Sequence, residues 1–169
     1  MLKNTFTQVH KLSSATPNSL KACRISVPDL IESICDFLGA TFRDAVEIEV
    51  IEPEGTLGYL VICSEYFAYF FKLLLTFSRK TDVLHIKLYC DERSNFTIHI
   101  EGSAFENMTA SELCKLMKVA RETGFSPYEC PDGLVLKRMY KLQHTMPLYA
   151  PRERSLVHVF KRIFFSEGE

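Results

Sequence analysis

The sequence predicts an α+β fold, a two-layer α/β sandwich in which a mixed, mostly antiparallel sheet is covered on one face by helices. Two observations predict it. Short segments in which apolar and polar residues alternate, typical of strands with one buried face, are interleaved with longer segments of helical periodicity. In addition, 47% of the 169 residues are hydrophobic and 24% are charged, which suffices for one compact core.

The first half of the chain predicts three strands and two helices after a polar leading segment. Residues 1–20, rich in Ser, Thr, Asn and Lys, predict a short helix over 2–13 and a connector, which we separate from a domain over 21–169. Pro28 is favourable in the first turn of a helix. The elements in order are an edge strand over 20–27, a helix over 28–42, strands over 46–51 and 59–62, and a very apolar helix over 65–79.

The second half predicts a hairpin, a capped helix and a C-terminal group of elements. Thr109 followed three residues later by Glu112 is a capping box, and it opens a helix to about 122 that Gly124 ends. The other elements are hairpin strands over 83–90 and 96–100, a Pro-containing loop over 126–131, a helix over 133–144, and strands over 147–150 and 156–164.

Composition excludes several classes of protein. The formal net charge of -1 gives no overall attraction to nucleic acid. The six cysteines include no Cys-x-x-Cys pair and fall mostly within apolar runs, as expected of buried thiols in a reducing cytoplasm. The most apolar stretch, residues 66–77, is shorter than the roughly 20 residues that a membrane span needs. We therefore expect a cytoplasmic protein without a membrane partner.

Motif searches give no catalytic site. The five histidines include no His-Glu-x-x-His motif, and His85, His99 and His158 alternate with apolar positions, so we expect them on the solvent face of strands. No glycine-rich phosphate loop occurs. Basic residues near the C-terminus predict either a phosphate-binding patch or, in preference, a solvated face; they are Lys137, Arg138, Lys141, Arg152, Arg154, Lys161 and Arg162.

The order of the elements carries a family resemblance. TQVHKLSSATPNSLKACRISVPDLIESICDFL resembles the end of a dimerisation helix, a linker and a first ATPase helix, and LVICSEYFAYFFKLLLTFSRK resembles a strand and the metal-binding helix. TIHIEGSAF stands where the adenine-binding segment would be, DGLVLKRMYKLQH where the phosphate-binding loop and last helix would be, and SLVHVFKRIFF as the final strand. Together they resemble the ATP-binding domain of sensor histidine kinases, the GHKL family, whose architecture is the Bergerat fold.

The resemblance implies a nucleotide pocket in which most of the residues that bind metal, adenine and phosphate have been replaced. Phe77 stands where the family has the metal-binding Asn, so no metal ligand is expected. Glu101 and Gly102 remain of the adenine-binding segment, and Gly133 is the one glycine left of the phosphate-binding loop. Phe77 and Phe105 are expected to block this vestigial pocket, and no residue is assigned a catalytic role.

The functional expectation follows from that resemblance. We expect a catalytically degenerate, pseudokinase-like domain that acts without a cofactor as a binding or regulatory module in bacterial two-component signalling. Its partner would be a signalling protein or a second copy of itself in a homodimer. The alternative is a functional, ATP-binding domain of a sensor histidine kinase or of an anti-sigma-factor-type serine kinase.

Overall fold

The structure is a computed structural model, and it describes residues 22–51, 58–79, 82–140 and 151–166. Within these ranges the strands are β1 Cys23–Ser26, β2 Val46–Val50, β3 Tyr59–Ile62, β4 Leu84–Cys90, β5 Asn95–Glu101, β6 Ser126–Cys130 and β7 Gly133–Met139. The helices are α1 Val27–Ile34, continued by a π-helical segment Cys35–Gly39, α2 Ser64–Phe77, α3 Ala104–Asn107, α4 Ala110–Thr123 and α5 Leu156–Phe165.

Five strands form the central sheet, in the order β2-β4-β5-β7-β6. The β2–β4 pair is parallel and the other three pairs are antiparallel. β1 and β3 form a separate antiparallel pair, so β1 is not an edge of the central sheet. The predicted fold class, an α+β sandwich with a mixed and mostly antiparallel sheet, is confirmed.

The core lies between one face of the sheet and the helices. Leu84, Ile86 and Leu88 on β4 are at most 1% exposed, while the residues between them are exposed or half-buried, so β4 has one buried face. α2 packs against α4 and α5. Its residues are buried on several sides, as predicted, and even Lys72 is buried, with its Nζ donating to the carbonyl oxygen of Ile163 at 3.1 Å. That bond satisfies a carbonyl in the last turn of α5.

Three predicted elements near the C-terminus are wrong. The loop predicted over 126–131 is strand β6, the helix predicted over 133–144 begins as strand β7, and the strand predicted over 156–164 is helix α5. Short apolar runs do not distinguish a strand from a helix by periodicity alone. In β7 the alternation of buried Leu134 and Leu136 with outward residues is decisive, because β7 completes the sheet between β5 and β6.

The other boundaries agree with the sequence within a few residues. The capping box is confirmed: the hydroxyl of Thr109 accepts a hydrogen bond from Glu112 N–H at 3.1 Å. The predictions for residues 1–20, 141–144 and 147–150 lie outside the described residues. Among the helices that the structure describes, none is long and apolar enough to cross a bilayer.

Candidate functional site

Three of the predicted site residues meet at the carboxyl end of β5. Glu101 is paired in register with Gly133 at the start of β7, and the N–H of Gly102 donates to the carbonyl of Asp132 at 3.2 Å. Phe105 follows on the one-turn helix α3 and is half-buried against the core. The structure therefore brings the two sequence segments of the predicted pocket together, through backbone pairing.

A buried carboxylate joins this end of β5 to the end of α2. Asp82 is 6% exposed. Its Oδ2 accepts from the N–H of Arg79 at 2.8 Å, and its Oδ1 accepts from the hydroxyl of Ser103 at 2.9 Å. A Cβ on Gly102 would lie 2.7 Å from the carbonyl oxygen of Val83, so the two segments also touch through backbone. We call this contact the Asp82 bridge.

Phe77 is the last residue of α2 and is half-buried against the core. It lies two residues before Arg79, whose N–H donates to Asp82. Among the ring contacts of the described residues, none joins Phe77 to Phe105. Both rings are thus placed near the ends of the segments that the resemblance assigns to nucleotide, without stacking on each other.

The carboxylate of Glu101 lies on the face of the sheet that the helices do not cover. Its Oε1 is 3.0 Å from Nε2 of His99, two residues earlier on β5. Alternate residues of a strand share a face, and the residue between them, Ile100, is fully buried on the helical side. Glu101 is therefore directed away from α2 and α4.

Gly133 begins a strand and not a helix, which corrects the assignment of DGLVLKRMYKLQH to a phosphate-binding loop and last helix. The hairpin places it opposite both Cys130 and Glu101. A Cβ there would lie 1.9 Å from the carbonyl oxygen of Ile100. Glycine is required at this position by the close approach of β7 to β5, independently of any phosphate.

The first helix of more than one turn after β5 is α4, and its N-terminus is already occupied. The hydroxyl of Thr109 accepts from Glu112 N–H and donates to Glu112 Oε1, both at 3.1 Å. A free helix N-terminus attracts anions, but here the Glu112 carboxylate supplies the negative charge. Only the one-turn helix α3 lies between Gly102 and Thr109.

On the uncovered sheet face, a histidine and a lysine of β4 each face a glutamate of the neighbouring strand β2. His85 Nδ1 lies 3.0 Å from Glu47 Oε2, and Lys87 Nζ lies 3.7 Å from Glu49 Oε2. The solvent-face prediction is confirmed for His85, which is more than half exposed. It is wrong for His158 in that this residue lies on helix α5, although it is exposed there.

His99 and Cys130 are site residues that the sequence reasoning missed. Cys130 Sγ lies 3.7 Å from His99 Nε2, the same nitrogen that contacts Glu101. The alternation of residues along a strand could have indicated this site, because His99 was expected on the solvent face and Glu101, two residues later, must lie on the same face. Within the described ranges no group of three or more His, Cys, Asp or Glu residues could hold a metal ion.

A second cluster lies at the N-terminus of α2. Ser64, 1% exposed, donates to Glu153 Oε2, and Glu153 Oε1 accepts from the N–H of Ser155 at 3.2 Å. The backbone of Glu153 donates to the carbonyl of Arg24 at 2.8 Å. Burial, followed by the charge of Glu153, raises the pKa of the nearby Cys23 thiol to about 11.

The raised pKa of the Cys23 thiol makes the free energy of unfolding depend on pH in the alkaline range. The unfolded thiol ionises near pH 9.0, whereas the folded one keeps its proton to about pH 11. Stability from Cys23 is therefore present below the lower value and lost as the pH rises through the upper one. We expect the urea-measured free energy of unfolding to fall less steeply over this window in Cys23→Ser than in wild type. Cys114→Ser, at an exposed site, serves as control.

The basic residues near the C-terminus do not form one patch among the described residues. Arg162 pairs with Glu65 at 3.1 Å, Lys137 lies 3.4 Å from Asp91 Oδ2, and Arg138 donates to the carbonyl of Gly124 at 2.8 Å. These separate partners favour the solvated-face interpretation.

A groove of about 820 Å³ lies between α1 and residues 151–157, and its walls carry both signs of charge.

Comparisons with known proteins give one kind of similarity. No protein-family model matches the sequence, and no curated protein matches it. Among solved structures, the cytoplasmic segment of histidine kinase QseC is similar, with a TM-score of 0.46 and 16% identity, covering 83% of this chain and 94% of that chain. This is a weak structural similarity to a histidine kinase segment, and it does not bear on activity.

Proposed function

We propose that this chain is a catalytically degenerate, histidine-kinase-like domain that acts as a non-enzymatic binding or regulatory module in signalling. The proposal starts from the resemblance in element order and from the residues that stand at its nucleotide-binding positions. A protein partner, either a signalling protein or a second copy, replaces nucleotide as the molecule that it recognises.

The Asp82 bridge is the observation that carries the proposal. The resemblance assigns nucleotide to the space between the end of α2 and the segment after β5. In this chain Asp82 hydrogen-bonds to both sides, to Arg79 N–H and to Ser103 Oγ. Buried hydrogen bonds to a carboxylate are costly to break. A base entering here would have to displace them.

Two further contacts support the same conclusion. Glu101, the only carboxylate that the sequence offered for the adenine amino group, contacts His99 on the uncovered face of the sheet. The N-terminus of α4, where a phosphate would gain most from the helix dipole, holds the Thr109–Glu112 capping pair. Neither group is placed to replace a missing nucleotide contact.

The test is titration of the whole chain with ATP, with and without Mg²⁺, by calorimetry and by thermal shift. A ligand present at tenfold its Kd would stabilise the native state by about 1.4 kcal/mol, which corresponds to roughly 3–6 °C in Tm for a chain of this size. We expect no heat of binding and a shift below about 1 °C.

A matched variant distinguishes the absence of the metal-binding side chain alone from closure of the whole pocket. Phe77→Asn places the metal-binding side chain of the family at the end of α2, and the Asp82 bridge remains. We expect this variant also to bind no Mg²⁺–ATP. Saturable, Mg²⁺-dependent heat in wild type would refute the degenerate assignment and establish the alternative, a functional ATP-binding domain. Binding restored by Phe77→Asn alone would show that the bridge does not close the pocket.

A further inference from the structure

The contact of Cys130 with His99 depends on the glycine between them. Cys130 lies on β6 and His99 on β5, so strand β7 separates them. At the level of Cys130, β7 contributes Gly133, which has no side chain to stand in the way. Cys130 Sγ consequently reaches within 3.7 Å of His99 Nε2, whose other contact is Glu101 at 3.0 Å.

A thiol beside an imidazole has a recognised chemistry. The thiolate is the nucleophilic form of cysteine, and a neighbouring His either takes the thiol proton or pairs with the resulting thiolate. Glu101 fixes the imidazole at this position, since the His99 side chain is 24% exposed and one ring nitrogen contacts the carboxylate. Because Nε2 must carry a proton to bond the Glu101 carboxylate, His99 can donate to a Cys130 thiolate but cannot take the thiol proton at that nitrogen. The cluster therefore has a nucleophile, a hydrogen-bond donor for its thiolate and an orienting group.

Other cysteines of the described chain lie in a different environment. Burial is the largest cause that raises the pKa of four thiols, those of Cys23, Cys35, Cys63 and Cys90. A buried thiol that stays protonated is a poor nucleophile. Cys114 is exposed on α4, which makes it the natural reference for a thiol that solvent reaches freely.

We propose that Cys130 is a modification site that forms a mixed disulfide with low-molecular-weight disulfides. In the reaction the Cys130 sulfur attacks one sulfur of the disulfide RSSR, the S–S bond of RSSR breaks, and a new S–S bond joins Cys130 to R. The second R group leaves as thiolate and takes up a proton equivalent to the one lost by Cys130. The disulfide is the oxidant, and RSH is the reduced product.

The surroundings of Cys130 leave room for such an adduct. Cys130 is half-buried at the turn between β6 and β7. A shallow groove of about 310 Å³ on the uncovered sheet face is lined by His99 and Glu101, and it continues across β4 to Glu47 and Glu49 as well as to His85 and Lys87.

The experiment uses the whole chain and oxidised glutathione under native conditions. Modification at each cysteine is followed with time by peptide mapping and mass spectrometry. We expect Cys130 to react about tenfold or more faster than Cys114, and His99→Asn to abolish that advantage. His158→Asn is the matched control, because His158 is exposed on helix α5 and does not line this groove; we expect it to react like wild type.

The same measurement in urea makes the test independent of how the variants fold. Unfolding separates Cys130 from His99, so the ratio of the two rates should fall to about 1 in the denatured wild-type chain. A native Cys130 no faster than Cys114 would overturn the proposal. So would an advantage that persists in urea, or one that survives in a folded His99→Asn variant.

Discussion

Gly133→Ala is expected to lose at least about 3 kcal/mol of the free energy of unfolding, or to fail to fold. The added Cβ would lie 1.9 Å from the carbonyl oxygen of Ile100 and 3.0 Å from the Cα of Glu101. Both are backbone atoms of β5, the central strand of the sheet. Neither can move without disturbing the register of β5 with β7. Urea denaturation followed by far-UV circular dichroism measures the loss.

Gly39→Ala is the matched control for this prediction. Gly39 ends the π-helical segment after α1, and a Cβ there would lie 3.4 Å from Ile48 Cδ1, an ordinary van der Waals contact. Alanine is favoured over glycine in a helix by up to about 1 kcal/mol. The same chemical change is therefore expected to be neutral or stabilising at Gly39. Equal effects at the two sites would show that β7 does not approach β5 as closely as described.

The outcome at Gly133 also bears on why that glycine is present. The family resemblance offered it as the one glycine left of a phosphate-binding loop, at the start of a predicted helix over 133–144. The sheet gives a different reason, since backbone of β5 occupies the space where a side chain would be. Sequence identifies a position where glycine is needed. It does not reveal which neighbour excludes the side chain, because that neighbour is a strand more than thirty residues away.

Prediction from the sequence succeeded where local signals agreed with one another. The capping box at Thr109 and Glu112 and the stop at Gly124 bound one helix, and both signals act within a few residues. The alternation in VEIEVI marked β2 because one face of that strand is exposed. A similar alternation along β4 placed His85 correctly on the solvent side.

Prediction failed where long-range packing chose between two local possibilities. Residues 156–165 are rich in β-branched and aromatic side chains, which favour strands, yet they form α5 because one stripe of them packs on α2. Ser155 gave a contrary signal that was not used: its hydroxyl accepts from His158 N–H at 3.2 Å as an N-cap. For Glu101, alternation along β5 is sufficient to place its carboxylate on the same face as His99.

Phe160→Ala is expected to cost about 3–5 kcal/mol, the usual range for a fully buried phenylalanine. Phe160 is 0% exposed and joins three helices. Its ring stacks on that of Phe37 in the π-helical segment, with 5.0 Å between ring centroids and an interplanar angle of 9°. Its centroid lies 6.0 Å from that of Phe67 on α2. Its removal leaves a cavity where α5 meets both neighbours. The midpoint of urea unfolding, with an unchanged slope, measures this cost.

A control on the same element distinguishes the helix from the strand that the sequence favoured. In a strand, Phe160 and Arg162 would share a face, whereas in α5 Arg162 is exposed and pairs with Glu65. Exposed ion pairs contribute about 0–1 kcal/mol, so Arg162→Ala should cost less than about 1 kcal/mol. Phe165→Ala, at a residue 61% exposed, should behave similarly. A large cost at Arg162 would contradict the helical assignment, and a small cost at Phe160 would contradict the packing of α5 on α2.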